Sequence, residues 1–255
     1  MPEGSMNFGE IAILIIAETL LSLLLFSAAI GILIFLIRKP MRKYKPVDML
    51  IFDRLQPWTH PVKSKIMLFI TFLGKHQFLI PANLFLIVYF LFAMHQSWFS
   101  VQVVTIALSS LVLMILLKTL FRRKRPLSPL LKAAKGLSFP SGHAIMAVTF
   151  YGLLLYILLQ TIDVSWLRYL CASLLIILII LIGYSRVYLR VHYASDVLAG
   201  FIIGVVWLLI SLFVLKGIEG YAKPSPELNA IADHNLAINT VSFRYYFFYS
   251  ISSLS

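Results

Sequence analysis

Long apolar runs constrain this chain more than any other feature. Ile11–Ile37, Val101–Leu117, Pro140–Gln160, Trp166–Tyr184 and His192–Leu215 are each dominated by aliphatic and aromatic residues. Ile66–Ala93 is equally apolar but is interrupted at Gly74-Lys75-His76-Gln77 and again at Pro81. A hydrocarbon layer about 30 Å thick is crossed by about 20 helical residues. Backbone groups in lipid must be satisfied within their own segment, and no alternating barrel pattern is present, so the runs read as helices. The expected fold is an all-α, polytopic membrane protein with six transmembrane helices, the second contributed by Phe78–Ala93 or by one longer kinked helix from Ile66.

Composition bounds the rest. The chain is 60% hydrophobic and 13% charged, where soluble domains carry about 25% charged residues. Its formal charge of +12 would point to nucleic acid on a soluble chain. On a membrane protein it reads as topology and attraction to anionic lipid headgroups, so no nucleic-acid partner is expected. Cys171 is the only cysteine, which excludes a disulfide within the chain. Met1-Pro-Glu-Gly-Ser5 ahead of Met6 reads as an appended scar, and the first apolar run is too long for a cleavable signal. Residues 6–223 are expected to form one six-span domain, and 224–255 a tail that rests on the interface or is disordered.

Between the spans lie shorter signals. Glu18 sits inside the first run, either as a functional group or as an interfacial one facing a neighbouring helix. Val47–Leu55 mixes apolar residues with Asp48, Asp53 and Arg54 and reads as a short interfacial helix bounded by Pro57 and Pro61. His76 suits a capping or snorkelling role. Alternating the spans puts the connections 38–65, 118–139 and 185–191 on one face of the membrane.

Three polar clusters emerge on that face. In the first, Lys118 and Arg125 are seven residues apart, and Pro126 turns the chain so that Arg125 folds back. A guanidinium fork and an ammonium are both suited to phosphate. Arg122, Arg123 and Lys124 between them read as surface charge. In the second, Pro140-Ser141-Gly142-His143, the proline is favoured in the first turn of a helix whose free N–H groups attract an anion. Ser141 adds a hydroxyl, Gly142 permits close approach and His143 can exchange a proton. In the third, His192 and Asp196 stand at i and i+4, shortly after Arg186. On a helix they would share a face, with the carboxylate fixing the imidazole tautomer and leaving one nitrogen free to attack. The alternative for that pair is a buried His–Asp contact joining helices. Together the clusters supply the positioning and charge stabilisation that phosphoryl transfer needs. No HExxH, paired cysteines or carboxylate cluster points to a metal, and no cofactor is expected.

These residues resemble the signature of the type 2 phosphatidic acid phosphatase (PAP2) superfamily: K-x6-R-P at Lys118 to Arg125-Pro126, P-S-G-H at Pro140–His143, and S-R-x5-H-x3-D at Ser185-Arg186, His192 and Asp196. The resemblance covers about 80 residues and no signature position departs. It implies a metal-independent membrane phosphatase. By position, His192 would attack phosphorus and form a phosphohistidine, Asp196 would orient it, and His143 would protonate the leaving oxygen and then activate water. Lys118, Arg125 and Arg186 would hold the phosphate, assisted by Ser141 and the Gly142 N–H. The superfamily's substrates imply a lipid phosphate partner: phosphatidic acid, phosphatidylglycerophosphate or a polyprenyl pyrophosphate. A lipid phosphotransferase using the same intermediate and a non-catalytic membrane scaffold are the alternatives. Sidedness is contested. The three connections carry eight, seven and two Lys/Arg against four on the opposite face, which favours the cytosol. Many bacterial relatives face the exterior of the cell membrane, and the reading follows that pattern.

Overall fold

The computed structural model describes residues 28, 31, 45–126 and 136–222. The first apolar run with Glu18 (apart from Ala28 and Gly31), the basic stretch after it, loop 127–135 and the tail 224–255 lie outside the described residues. Among those described, the chain is helical: α1 (Lys45–Leu55), a 3-10 turn (Gln56–Trp58), α2 (Pro61–Leu73), α3 (His76–Val88, continued by a π turn to Ala93), α4 (Ser97–Phe121), α5 (Gly142–Thr161), α6 (Ser165–Tyr188) and α7 (Ala194–Ala222). Five segments are long and apolar enough to cross a membrane: His76–Ala93, Ser97–Phe121, Gly142–Thr161, Ser165–Tyr188 and Ala194–Glu219. A sixth span would have to come from Ile11–Ile37.

Local chemistry explains the boundaries. Pro61 is in the first turn of α2, where its missing N–H costs nothing, and the His60 imidazole caps that helix by accepting from the Val62 N–H at 3.3 Å. The break at Gly74-Lys75 separates α2 from α3, so Ile66–Ala93 is two helices and not one kinked helix. Pro81 lies within α3 without ending it.

Three expected boundaries shift, and each moves a site residue. α5 begins at Gly142 with Ser141 as its N-cap, so Pro140 lies before the helix and not in its first turn. α6 continues past Tyr184 to Tyr188, which puts Arg186 on a helix and not in a connection. The Ser185 hydroxyl is satisfied within that helix, donating to the Ile182 carbonyl at 2.6 Å, so it needs no solvent. α7 begins at Ala194, so His192 precedes the helix and shares no helical face with Asp196.

α5 is the central helix. Of its most apolar stretch 61% is buried inside the protein, against 39% or less for the other spans. Leu113, Leu117, Phe139, Ile145, Ala199, Ile203 and Trp207 join α4, α5 and α7 in one core. Leu79, Ala147, Phe150, Tyr151 and Ile182 join α3, α5 and α6 in another. The outer surface is apolar as well, with Phe213 75% and Phe92 69% exposed, as lipid contact allows. Lipid gives no hydrophobic drive to helix association, so small residues that permit close packing matter more. Gly200 and Gly204 play that part on α7. A Cβ on Gly200 would lie 2.8 Å from the Ala144 Cβ and 2.9 Å from the Ser141 carbonyl oxygen, and one on Gly204 would lie 2.8 Å from the Val148 Cβ. The compact unit holding these contacts ends at Phe213; a second begins at Val214.

Overpacking such a seam costs about 1–3 kcal/mol. Gly204→Leu should therefore lower the melting temperature of the detergent-solubilised protein. Leu209→Ala, at a position 61% exposed on the same helix, should leave it nearly unchanged.

Candidate active site

The first cluster hangs from the end of α4. Lys118 occupies the last turn, and the helix stops where Arg122 adopts a left-handed conformation (φ 47°), with its N–H bonded to the Lys118 carbonyl at 3.1 Å. Past that point burial alternates from residue to residue. Arg122 and Lys124 are exposed, whereas Arg123 and Arg125 turn inward. Lys118 Nζ donates to the Leu137 carbonyl at 3.0 Å. Arg125 donates from Nε to Gly136 at 3.2 Å and from Nη1 to the Val191 carbonyl at 3.0 Å. Burial pushes the Arg125 guanidinium below its usual value, while the Asp196 carboxylate pulls it back up.

The second cluster is seated by Phe139, which is fully buried and packs edge-on against Phe121 at 4.8 Å. Ser141 donates its backbone N–H to the Asp196 carbonyl at 3.1 Å. A Cβ on Gly142 would meet Met114 Sδ at 2.4 Å and Lys118 Cε at 3.6 Å, so glycine lets the start of α5 lie against α4 beside Lys118. The His143 ring borders the break between α2 and α3: a Cβ on Gly74 would stand 3.4 Å from its Cδ2.

The third cluster closes the site. Arg186 is buried and donates from Nη1 to Thr71 Oγ1 at 2.6 Å. The N–H groups of Val191 and His192 turn back onto the Arg186 carbonyl at 3.1 and 3.2 Å. His192 is 1% exposed, and its Nδ1 lies 2.7 Å from the Ser138 carbonyl oxygen. A carbonyl only accepts, so Nδ1 carries the proton and Nε2 keeps its lone pair. The expected carboxylate partner is not in hydrogen-bond range: Asp196 Oδ2 stands 3.8 Å from Nδ1. That distance still allows a strong electrostatic effect. Burial pushes the His192 imidazole down to about 4, with Asp196 acting in the opposite direction and Arg186 and Arg125 reinforcing the fall.

Asp196 is instead held by other donors. Its Oδ2 accepts from the Ser138 hydroxyl and from the Tyr193 N–H at 3.0 Å, and its Oδ1 accepts from Arg123 Nη1 at 2.5 Å. Arg123 Nη2 reaches Asp48 Oδ2 at 2.8 Å. Arg123 is thus not the surface charge its neighbours suggested. Its signal was the two-residue alternation with Arg125. Asp48 also had a signal, since Asp48, Phe52 and Leu55 share one face of α1. Ser138 had none that we can identify.

All three connections therefore meet: Lys118 lies beside Gly142, Ser141 is bonded to Asp196, His192 touches both Arg186 and Asp196, and Arg125 reaches the Val191 carbonyl next to His192. Three buried polar atoms in it, Ser141 Oγ, His143 Nε2 and Arg186 Nε, have no hydrogen-bond partner among the described residues. Buried polar atoms are rarely left so. A phosphoryl group accepts from several donors at once, which is the chemistry this set of unpaired atoms and cations supports. Among the described residues no group of three or more His, Cys, Asp or Glu has a metal-binding arrangement.

Known proteins carry related sequences and folds. The PAP2 superfamily model matches residues 98–217, which contain all three clusters. Phosphatidylglycerophosphatase B of Bacillus subtilis is 31% identical over 172 residues, covering 66% of this chain and 79% of that protein. The crystal structure of a transmembrane PAP2-type phosphatidylglycerolphosphate phosphatase from Bacillus subtilis superposes with a TM-score of 0.66 at 26% identity, covering 78% of this chain and 98% of the other. Aquifex aeolicus LpxE superposes with a TM-score of 0.51 at 28% identity, covering 64% and 93%. With its signature residues assembled in one place, this chain belongs to the PAP2 superfamily, as one of its integral membrane lipid phosphatases.

Proposed function

We propose that this protein removes phosphate from a lipid phosphomonoester or pyrophosphate, with phosphatidylglycerophosphate the first substrate to test. The observation that carries the mechanism is the His192 Nδ1 to Ser138 carbonyl contact at 2.7 Å, which leaves Nε2 unprotonated. Nε2 attacks phosphorus in line with the lipid oxygen. The P–N bond forms as the P–O bond breaks, and His143 delivers a proton to the leaving oxygen. His143 then takes a proton from water, which attacks phosphorus, breaks the P–N bond and restores His192. Lys118, Arg125 and Arg186, with Ser141 and the N–H groups opening α5, carry the charge of the equatorial oxygens. Asp196 supports the charge His192 acquires. The choice of phosphatidylglycerophosphate rests on the relatives' names, and lateral entry of a lipid fits the lipid-exposed helices.

We further assign Ile11–Ile37 as a sixth span and the active face to the exterior of the cell membrane. An impermeant maleimide should label Ser128→Cys, in a Cys171→Ser background, on intact cells. Labelling only after lysis would place the site in the cytosol, as the charge distribution favours.

Purified protein should release phosphate from phosphatidylglycerophosphate micelles without added divalent cation. His192→Ala should lower kcat by about a thousandfold or more. Arg186→Ala should lower it by about a hundredfold or more, since its role is in the transition state. No release from any lipid phosphate, or full activity of His192→Ala, would refute the assignment.

The pH dependence follows from His192. Its folded value of about 4 lies below the ordinary imidazole value of 6.5. Between the two the folded state binds fewer protons than the unfolded chain, so stability falls as pH drops across that window. The melting temperature should therefore decline from pH 6.5 toward 4, and His192→Gln should flatten the decline.

A further inference from the structure

Among the described residues, the reaction leaves one buried carboxylate without a task. Asp48 is 1% exposed, although it sits on α1 between Val47 and Met49, which are 48% and 52% exposed. Every contact it makes leads toward Asp196. Its Oδ2 accepts from Arg123 Nη2 at 2.8 Å and from the Ser195 hydroxyl at 2.7 Å, and its Oδ1 accepts from the Ser195 N–H at 3.0 Å. Arg123 Nη1 in turn reaches both the Ser195 hydroxyl at 2.8 Å and Asp196 Oδ1 at 2.5 Å. We propose that Asp48 is a positioning residue for phosphoryl transfer, acting through Arg123 on the Asp196 carboxylate; this rests on the phosphatase reading above.

Geometry gives the first reason. A guanidinium is planar and rigid, so anchoring Nη2 on Asp48 fixes where Nη1 points. The Tyr193 ring covers the guanidinium at 4.1 Å and packs against Phe52 at 5.7 Å. Asp48 and Phe52 are four residues apart on the same face of α1. One helix therefore supplies both the carboxylate that aims Arg123 and the ring behind the residue that covers it.

Charge gives the second. Arg123 alone on Asp196 would offset part of the field that Asp196 exerts on His192 3.8 Å away. Shared between two carboxylates, the guanidinium leaves the cluster with a net negative charge. That charge matters when His192 becomes positive on bonding to phosphorus, and neither carboxylate is among the groups assigned to hold the phosphate. Removing Asp48 should thus lower kcat and leave KM unchanged.

The test compares kcat and KM for full-length protein in detergent micelles, with phosphatidylglycerophosphate and phosphatidic acid as substrates, for the unmodified chain, Asp48→Asn, Arg123→Gln and the double variant. Asp48→Asn should lower kcat about tenfold with KM within about twofold, and the double variant should be no slower than Arg123→Gln alone, because coupled residues do not add. A merely structural carboxylate would give losses that multiply. Wild-type kcat in Asp48→Asn, or multiplying losses, would overturn the proposal while leaving the phosphatase assignment intact. If the unmodified chain releases no phosphate from either lipid, the assignment falls and this inference with it. Should Asp48→Asn fail to fold, Ser195→Ala decides, because it keeps the ion pairs but removes the hydroxyl that Asp48 and Arg123 share. A drop of about threefold in kcat at constant KM supports the proposal, and an unchanged kcat overturns it.

Discussion

The Asp196 carboxylate is the interaction on which the site depends. It is fully buried at the start of a membrane-spanning helix. A charge in that position is tolerated only when its oxygens are satisfied. Both are: Oδ1 by Arg123, Oδ2 by the Ser138 hydroxyl and the Tyr193 N–H. Each donor comes from a segment that also carries a group proposed to react or to bind phosphate. Ser138 presents its carbonyl to His192 and sits just before the α5 N-terminus. Arg123 lies two residues from Arg125, and Tyr193 follows His192. Neutralising one carboxylate is thus the same event as assembling the site. Breaking a buried pair costs about 3–5 kcal/mol, because the remaining charge is left without a partner. The arrangement is correspondingly hard to disturb in part.

The helices supply the frame that brings those segments together. α5 is enclosed by its neighbours, and glycines on α7 let the two helices approach until Gly200 nearly touches the Ser141 carbonyl. The close seam and the helix start proposed to bind the anion are therefore one structural unit. The break at Gly74 similarly ends α2 next to His143, and α2 carries Thr71, which holds Arg186. Packing that stabilises the bundle in lipid also fixes the distances the chemistry uses.

Much of this was legible in the sequence. Apolar runs of spanning length identified the class, and the five spans described fall on runs read from the sequence, because lipid tolerates few alternatives. The eight candidate site residues were picked out by their spacing and types. What spacing could not show was where a helix begins. His192 and Asp196 looked like a pair on one helical face, but α7 starts at Ala194, and the hydrogen bond passes to the Ser138 carbonyl, which has no side-chain signature. Arg123 was passed over within a run of four cations, of which only Arg123 and Arg125 turn inward. Asp48 shares a helix face with Phe52 and Leu55, but that face does not name a partner 75 residues away. A charge on an interfacial helix reads as solvated until the fold shows what lies above it.

The central claim is that His192 Nε2 becomes bonded to phosphorus. Rapid mixing of the protein with phosphatidylglycerophosphate, an alkaline quench that preserves phosphohistidine, and peptide mass analysis tests it most directly. The account predicts a phosphoryl group on the peptide containing His192, appearing within one turnover and absent from His192→Ala. Phosphate transferred to another residue, or turnover that continues in His192→Ala with no phosphorylated protein, would contradict it.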